Sequence, residues 1–400
     1  MSRRSGDRLS NGRPSKGRLS KGGLSKGGLS GAPESALVLS GSIGKGHDSV
    51  AEACRAALVD GGVDSRVLDC MALLGGPEAR VGMAAFRRML EIPSVYDGFH
   101  FSHLRSGTWL PRALERGASR RLVPVLRREL DGLPGYPLVV SVFPTGVTTS
   151  ARLKAERPGI TAVAVCTDAC AHRLWVADGI DLYVVCSSLA ANTVRRYQPG
   201  AVIAVVPPPV RPAFYRAPDR AAARDALGVP ADAPCVLLMA GGWGLGPLAE
   251  TAEALAGAGY WVLAVAGLND ALRRRLDGTA RRFPTVRPFG LTDRVPELMA
   301  AADAVVTSPG QTCHEARVVG RWLVILDVVP GHGRENALHE LEQGGALACS
   351  PDPASVVGAV QVMFAEQPEH PPWPVETAAA WDKHFAGALA EAGVALPADR

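Results

Sequence analysis

Five loops hold the residues whose types and spacing could do chemistry. The first, Ser40-Gly-Ser-Ile-Gly-Lys-Gly-His47, joins an apolar run to a helical pattern. Its glycines let backbone approach a ligand, and the N–H groups that open a helix suit an anion or developing charge. His47 at that opening distinguishes the loop, because a helix N-terminus disfavours the imidazolium and keeps the ring neutral. The loop is not a Walker A motif: Gly46, not Ser or Thr, follows Lys45, and the leading glycine spacing fails. It is equally poor as a dinucleotide fingerprint. A plain strand–turn–helix connection is the competing reading.

The second loop, Thr167-Asp-Ala-Cys-Ala-His172-Arg-Leu-Trp175, follows another apolar run. Asp168 there could orient an imidazole or accept a proton, and the C-terminal end of a strand is where α/β sites form. The alternative is an N-cap aspartate beside a surface histidine. The third, Thr307-Ser-Pro-Gly-Gln-Thr-Cys-His-Glu-Ala316, turns at Pro309-Gly310 and enters a helix. Its N–H groups could cradle a diphosphate, and Glu315 could accept bonds from ribose hydroxyls. A capping box between Thr312 and Glu315 competes. The fourth is Pro330-Gly-His-Gly-Arg-Glu-Asn336, and the fifth is Gly241-Gly-Trp-Gly-Leu-Gly-Pro247. Three such loops in one half of the chain, each after a strand, point to a phosphate-bearing ligand there.

The elements that must position these loops are legible as apolar runs. They fall at Ala36–Leu39, Ser65–Asp69, Pro137–Val142, Thr161–Val165, Asp181–Val185 and Ala201–Val206, and again at Cys235–Met239, Trp261–Val265, Ala304–Val306 and Leu323–Leu326. Strands without polar alternation fit a parallel sheet covered on both faces, and strand–helix–strand repetition indicates α/β architecture. Pro207-Pro-Pro209 with Arg211-Pro212 reads as a linker. Two α/β halves should therefore meet near residue 208, with the ligand in the cleft between them.

At 400 residues, 47% of them hydrophobic, the chain is long enough for two such domains. No uncharged apolar run reaches membrane-spanning length. The net charge of +4 is concentrated in residues 1–35, which hold eight Lys/Arg against two Asp/Glu. The remainder carries 35 basic and 37 acidic residues, a balance of −2, which does not indicate a nucleic-acid surface. Residues 1–35 repeat Leu-Ser-Lys-Gly-Gly, lack the apolar core of a signal peptide and are expected to be a disordered basic tail. The eight cysteines form no CxxC pair and read as buried free thiols of a reducing compartment; structural zinc is not expected. Residues 80–128 combine ten Arg and three acidic residues with Phe86, Tyr96, Phe99, Phe101 and Trp109, which fits either an interfacial segment on an anionic membrane or ordinary solvated helix faces.

Together these motifs resemble the MurG-like GT-B glycosyltransferases, more closely the monogalactosyldiacylglycerol synthase and processive diacylglycerol glucosyltransferase branch. The resemblance runs from about Leu37 to Leu347. It is carried by Gly44-Lys-Gly46-His47 with Ala51-Glu52-Ala53, by Thr167, Asp168, His172 and Trp175, by residues 241–247, and in part by residues 309–316 and 330–336. It implies an α/β GT-B fold: two Rossmann-like domains facing across a cleft, behind the disordered tail. The domains would be an acceptor-binding unit over 36–208, a UDP-sugar-binding unit over 209–375 and a C-terminal helical segment over 376–400. Gly242, Gly244, Gly246, Pro309, Gly310, Gln311 and Thr312 would face the diphosphate. Glu315 would bind the ribose, and His332 and Asn336 the sugar. Gly44 and Gly46 would form the acceptor loop. His47 would be the general base, with Asp168 and His172 beside it.

The resemblance further implies catalysis without a metal or cofactor, with a UDP-sugar as donor substrate and helix dipoles offsetting the charge of departing UDP. The expectation is an inverting hexosyltransferase acting on a lipid, diacylglycerol. Its location would be cytoplasmic, peripheral on an anionic inner membrane face, with no nucleic-acid partner. The alternatives are transfer to another lipid-linked or natural-product acceptor, a nucleotide-sugar epimerase, and a degenerate nucleotide-sugar-binding protein. Gln311 stands where the branch has a second glycine, His332 where it has glutamine, and Ala169 where it often has an aromatic residue.

Overall fold

The computed structural model describes residues 32–41, 45–76, 88, 92–366 and 380–397. The basic tail through residue 31, Gly44 of the expected acceptor loop and residues 80–87 and 89–91 of the Arg-rich segment lie outside them.

Each half is built on a six-stranded, wholly parallel sheet. The first contains β1 (Ser35–Ser40), β2 (Asp64–Asp69), β3 (Pro137–Ser141), β4 (Thr161–Cys166), β5 (Leu182–Val185) and β6 (Ile203–Val205), in the order β2-β1-β3-β4-β5-β6. The second contains β7 (Cys235–Met239), β8 (Trp261–Val265), β9 (Val286–Phe289), β10 (Ala304–Thr307), β11 (Trp322–Leu326) and β12 (Ala346–Cys349), in the order β12-β11-β10-β7-β8-β9. β1, β4 and β7 are buried along their whole length, so their continuous apolar runs are covered on both faces. β9 (VRPF) and β12 (ALAC) were not expected from the sequence. Both are four-residue edge strands, and partly exposed.

The strand order reverses twice. It turns between β1 and β3 in the first sheet and between β7 and β10 in the second. At such a point the loops leaving neighbouring strands go to opposite faces and leave a crevice. The loops after β1 and β3 therefore open one crevice, and those after β7 and β10 the other.

The first sheet's core is completed from far along the chain. The helix Ala380–Glu391 lies against the helix Gly46–Asp60, and its Trp381, Phe385 and Leu389 join Val38, Val50, Leu58 and Val140 in one cluster. The Trp381 indole N–H donates to the Ala53 carbonyl at 3.3 Å. The first half thus comprises residues 35 to about 206 together with this returning helix. Six of the eight cysteines are buried and none is paired. Among the described residues no helix is long and apolar enough to cross a membrane.

Candidate active site

The two crevices face each other and enclose a cavity of about 430 Å³. This lies within the roughly 300–1,000 Å³ of ordinary small-molecule sites. From the first half it is lined by residues 45–50 and by Thr167 and Asp168; from the second by the loops at 239–245, 308–312 and 329–336.

His47 is the second residue of the helix Gly46–Asp60. Its Nδ1 lies 2.8 Å from the Val142 carbonyl in the loop after β3. A carbonyl can only accept, so Nδ1 carries the ring proton and Nε2 is left with its lone pair. Phe143 packs edge-on against the ring at 5.1 Å, and Trp175 lies 6.4 Å away. Burial pulls the imidazole below its ordinary value, against the opposing pull of Asp168 and the Val142 bond. The ring is a neutral proton acceptor near pH 7. Asp48 fixes the loop before it: its carboxylate accepts from Ser40 Oγ and from Lys45 Nζ, each at 2.9 Å.

Asp168 is buried two residues past the end of β4 and does not cap a helix. Its Oδ2 accepts from the Trp175 indole at 2.7 Å and lies 3.7 Å from His172 Nε2. Burial alone would raise this carboxyl. The nearby imidazoles of His332 and His172, the indole bond and His47 outweigh it and hold the group below the usual carboxylate range. His172 differs from expectation. It does not line the cavity, and its Nδ1 is taken by the Leu174 N–H at 3.3 Å, which caps the turn Arg173–Trp175. Burial pushes its pKa down to about 4, so the ring is neutral near pH 7 beside Asp168.

In the second half the loops expected to meet a diphosphate do line the cavity at Gly242, Pro309, Gly310, Gln311 and Thr312, whereas Gly244 and Gly246 stand behind the lining. Gly242 permits a close approach, since a Cβ there would lie 2.7 Å from Lys45 Cγ of the opposite half. Gly244 has φ +59°, and its Cβ would meet Leu272 Cδ2 at 2.7 Å and the Ala266 carbonyl at 3.0 Å. Gly244→Ala should therefore cost about 1–3 kcal/mol of stability, seen as a lower urea midpoint of unfolding; an unchanged midpoint would show that the loop relaxes freely. The helix Gln311–Val319 starts from Gly310, which places Thr312 inside the helix and removes the capping box as an explanation for Glu315. Glu315 is buried, 4.0 Å from Arg211, and burial pushes its carboxyl up to about 7. Gln311 Nε2 donates to the Pro209 carbonyl in the linker at 2.5 Å.

His332 opens the helix His332–Glu342, Asn336 lies one turn into it, and both line the cavity. Asn336 Oδ1 accepts from the Ala169 N–H at 2.9 Å, across the cleft. Lys45, Arg211 and Trp243 also line the cavity, beyond the residues expected to meet the ligand. Tyr96 and His100 were not among those residues either; they reach the His332 helix from the segment after β2. Tyr96 carried only a compositional signal, as one aromatic residue in an Arg-rich stretch. Among the described residues no group of three or more His, Cys, Asp or Glu side chains is placed to hold a metal ion.

Comparison with known proteins agrees with this architecture. No protein-family profile matches the chain. It is 26% identical over 352 residues to the probable monogalactosyldiacylglycerol synthase 2, chloroplastic, of Oryza sativa subsp. japonica, covering 83% of this chain and 74% of that protein. It is 29% identical over 216 residues to the processive diacylglycerol beta-glucosyltransferase of Bacillus licheniformis, covering 52% of this chain and 56% of that one. Among solved structures, a UDP-N-acetylglucosamine 2-epimerase superposes with a TM-score of 0.58 over 90% of this chain and 96% of that one, at 14% identity. The fold is GT-B, and the chain is a relative of proteins named as galactosyl and glucosyl transferases of diacylglycerol.

Proposed function

We propose that this chain is an inverting glycosyltransferase that moves a hexose from a UDP-sugar to diacylglycerol. The observation that carries this is the placement of His47. Its Nδ1 is held by the Val142 carbonyl, and its Nε2 lone pair is available on the first half's side of a cavity whose opposite side is a set of glycine-rich helix openings. Nε2 takes the proton of the acceptor hydroxyl as that oxygen attacks the anomeric carbon, and the bond to UDP breaks on the other face. Attack and departure from opposite halves of the cleft invert the anomeric centre. The N–H groups that open Gln311–Val319 and Leu248–Gly257 meet the charge gathering on the departing diphosphate, and no metal is required. Glu315 accepts from the ribose hydroxyls. Asp168 stabilises the imidazolium formed at His47.

The lipid acceptor agrees with the surface beside the site. Ile92, Val95, Phe101, Trp109 and Leu114 are exposed within 23 residues of chain, with Trp109 71% and Leu114 65% accessible. Arg112, Arg116 and Arg120 are exposed on the same helix, Trp109–Asp131. Exposed apolar side chains interleaved with exposed arginines along one stretch of chain suit an anionic membrane surface at the inner face of the cell membrane. The full chain should float with liposomes containing anionic lipid. The double change Trp109→Ser and Leu114→Ser should sharply reduce flotation, each lost side chain weakening burial by roughly 1.5–3 kcal/mol. Flotation that ignores both the anionic lipid and the substitutions would remove the membrane assignment.

UDP release by the purified chain, measured against a panel of UDP-sugars with and without dispersed diacylglycerol, tests the activity. Release that requires one sugar nucleotide and the lipid is expected. Conversion of UDP-GlcNAc without an acceptor would mark an epimerase, and UDP binding without release from any pair would mark a binding protein.

A further inference from the structure

We infer that Tyr96, a residue of the first half, positions His332 of the second half and thereby sets which hexose the donor site accepts. This rests on the nucleotide-sugar reading of the cavity. The helix Pro93–Phe99 continues into a π-helical turn, His100–Leu104, closed by the Arg105 N–H to the His100 carbonyl at 2.9 Å. Tyr96 and His100 are four residues apart on the helical part, where the His100 N–H bonds the Tyr96 carbonyl, so they share one side of the segment, and both are buried.

The side they share lies on the opening of the helix that carries His332. Tyr96 Oη is 3.0 Å from His332 Nδ1, and the two rings meet edge to face at 5.8 Å. Asp97 accepts from the Gly331 N–H at 2.6 Å and from Arg334 at 2.7 Å. His100 Nε2 lies 3.2 Å from Glu335 Oε2, and Arg105 Nε lies 3.1 Å from Glu335 Oε1. Gly331 makes the contact sterically possible. Its φ is +63°, and a Cβ there would stand 2.5 Å from Tyr96 Cε1 and 2.9 Å from His100 Cβ. Four side chains of one half thus fix the first helical turn of the other, at the turn that faces the cavity.

The chemical consequence falls on the His332 ring. Burial disfavours ionisation of the Tyr96 phenol and of the imidazole alike, so both are neutral. Between two neutral groups the phenol O–H is the stronger acid and donates, so Nδ1 is occupied and Nε2 carries the proton, the single donor the ring can offer to the cavity it lines. A glutamine amide would offer a donor and an acceptor on a freely turning torsion. A ring held at one nitrogen presents the other at a fixed point, and a fixed donor distinguishes hexoses that differ in the direction of one hydroxyl.

Calorimetric titration of UDP, UDP-glucose and UDP-galactose into the full chain tests this, with Tyr96→Phe, His332→Ala and the double variant alongside. Tyr96→Phe keeps the packed ring and removes only the hydroxyl. It should shrink the affinity ratio between the two UDP-hexoses about tenfold while UDP affinity stays within about twofold, and in the His332→Ala background it should have no further effect on that ratio. An equal change for UDP and both UDP-hexoses, or an effect that persists without His332, would overturn the inference and leave the glycosyltransferase assignment standing. Unaltered chain that binds UDP but does not distinguish the hexoses would do the same. Unaltered chain that binds none of the three would overturn both.

Discussion

His47→Ala is expected to lower kcat by about 10²–10⁴-fold while leaving UDP affinity and the folded state in place. The separation of effects follows from the geometry. His47 belongs to the first half and touches Val142, Phe143 and Trp175 there, whereas the loops assigned to the nucleotide belong to the second half. A rate loss of that size without a binding loss is what removal of a proton acceptor produces. The pH dependence carries its own sign. Burial holds the imidazole below its ordinary 6.5, so the base is unprotonated at neutral pH. The acid limb that His47 contributes to kcat/KM should therefore lie below 6.5, and it should vanish from whatever activity His47→Ala retains. Full turnover by a correctly folded His47→Ala protein would end the assignment.

Asp168→Asn should lower kcat about 10–100-fold and move the acid limb to lower pH. The Asp168 charge raises the proton affinity of His47 and lies within the same cluster of rings. Its loss makes His47 a weaker base and leaves an imidazolium formed there without the carboxylate that most favours it. One pKa unit of lost interaction is about 1.4 kcal/mol, or tenfold in rate, which sets the lower bound. The substitution is nearly isosteric, and an amide oxygen can still accept from the Trp175 indole, so packing is preserved. Measuring kcat/KM across pH for both proteins separates an electrostatic role from a structural one. A rate loss with the limb unmoved, or moved upward, would assign Asp168 to support of the Trp175 turn alone.

Both predictions concern residues that were visible in the sequence, and the reason is local. A strand buried on both faces leaves an uninterrupted apolar run, and the loop that follows holds its glycines and polar residues together. His47, Asp168, Glu315 and Asn336 could each be placed at a strand's C-terminal end without any long-range information. The resemblance places His172 beside His47, but the Leu174 N–H bonded to its Nδ1 and its position off the cavity lining are set by the folded turn and leave no mark in the sequence. β9 and β12 were missed because an edge strand of four residues has neither a long apolar run nor alternation, and Arg287 and Pro288 break the pattern of the first. Tyr96 was unreadable as a site residue for a different reason. Its partner lies 236 positions away, and no spacing within the segment announces a contact made by the folded halves.

The helix Ala380–Glu391 bears on how the protein comes to be made. Trp381, Phe385 and Leu389 complete the first sheet's core, yet the ribosome delivers them only after the whole second sheet. The first half must therefore wait, with the apolar side of the helix Gly46–Asp60 uncovered, while some 170 residues of the other half are synthesised and fold ahead of its completion. During that interval the nascent chain presents a sticky surface that the finished protein never shows.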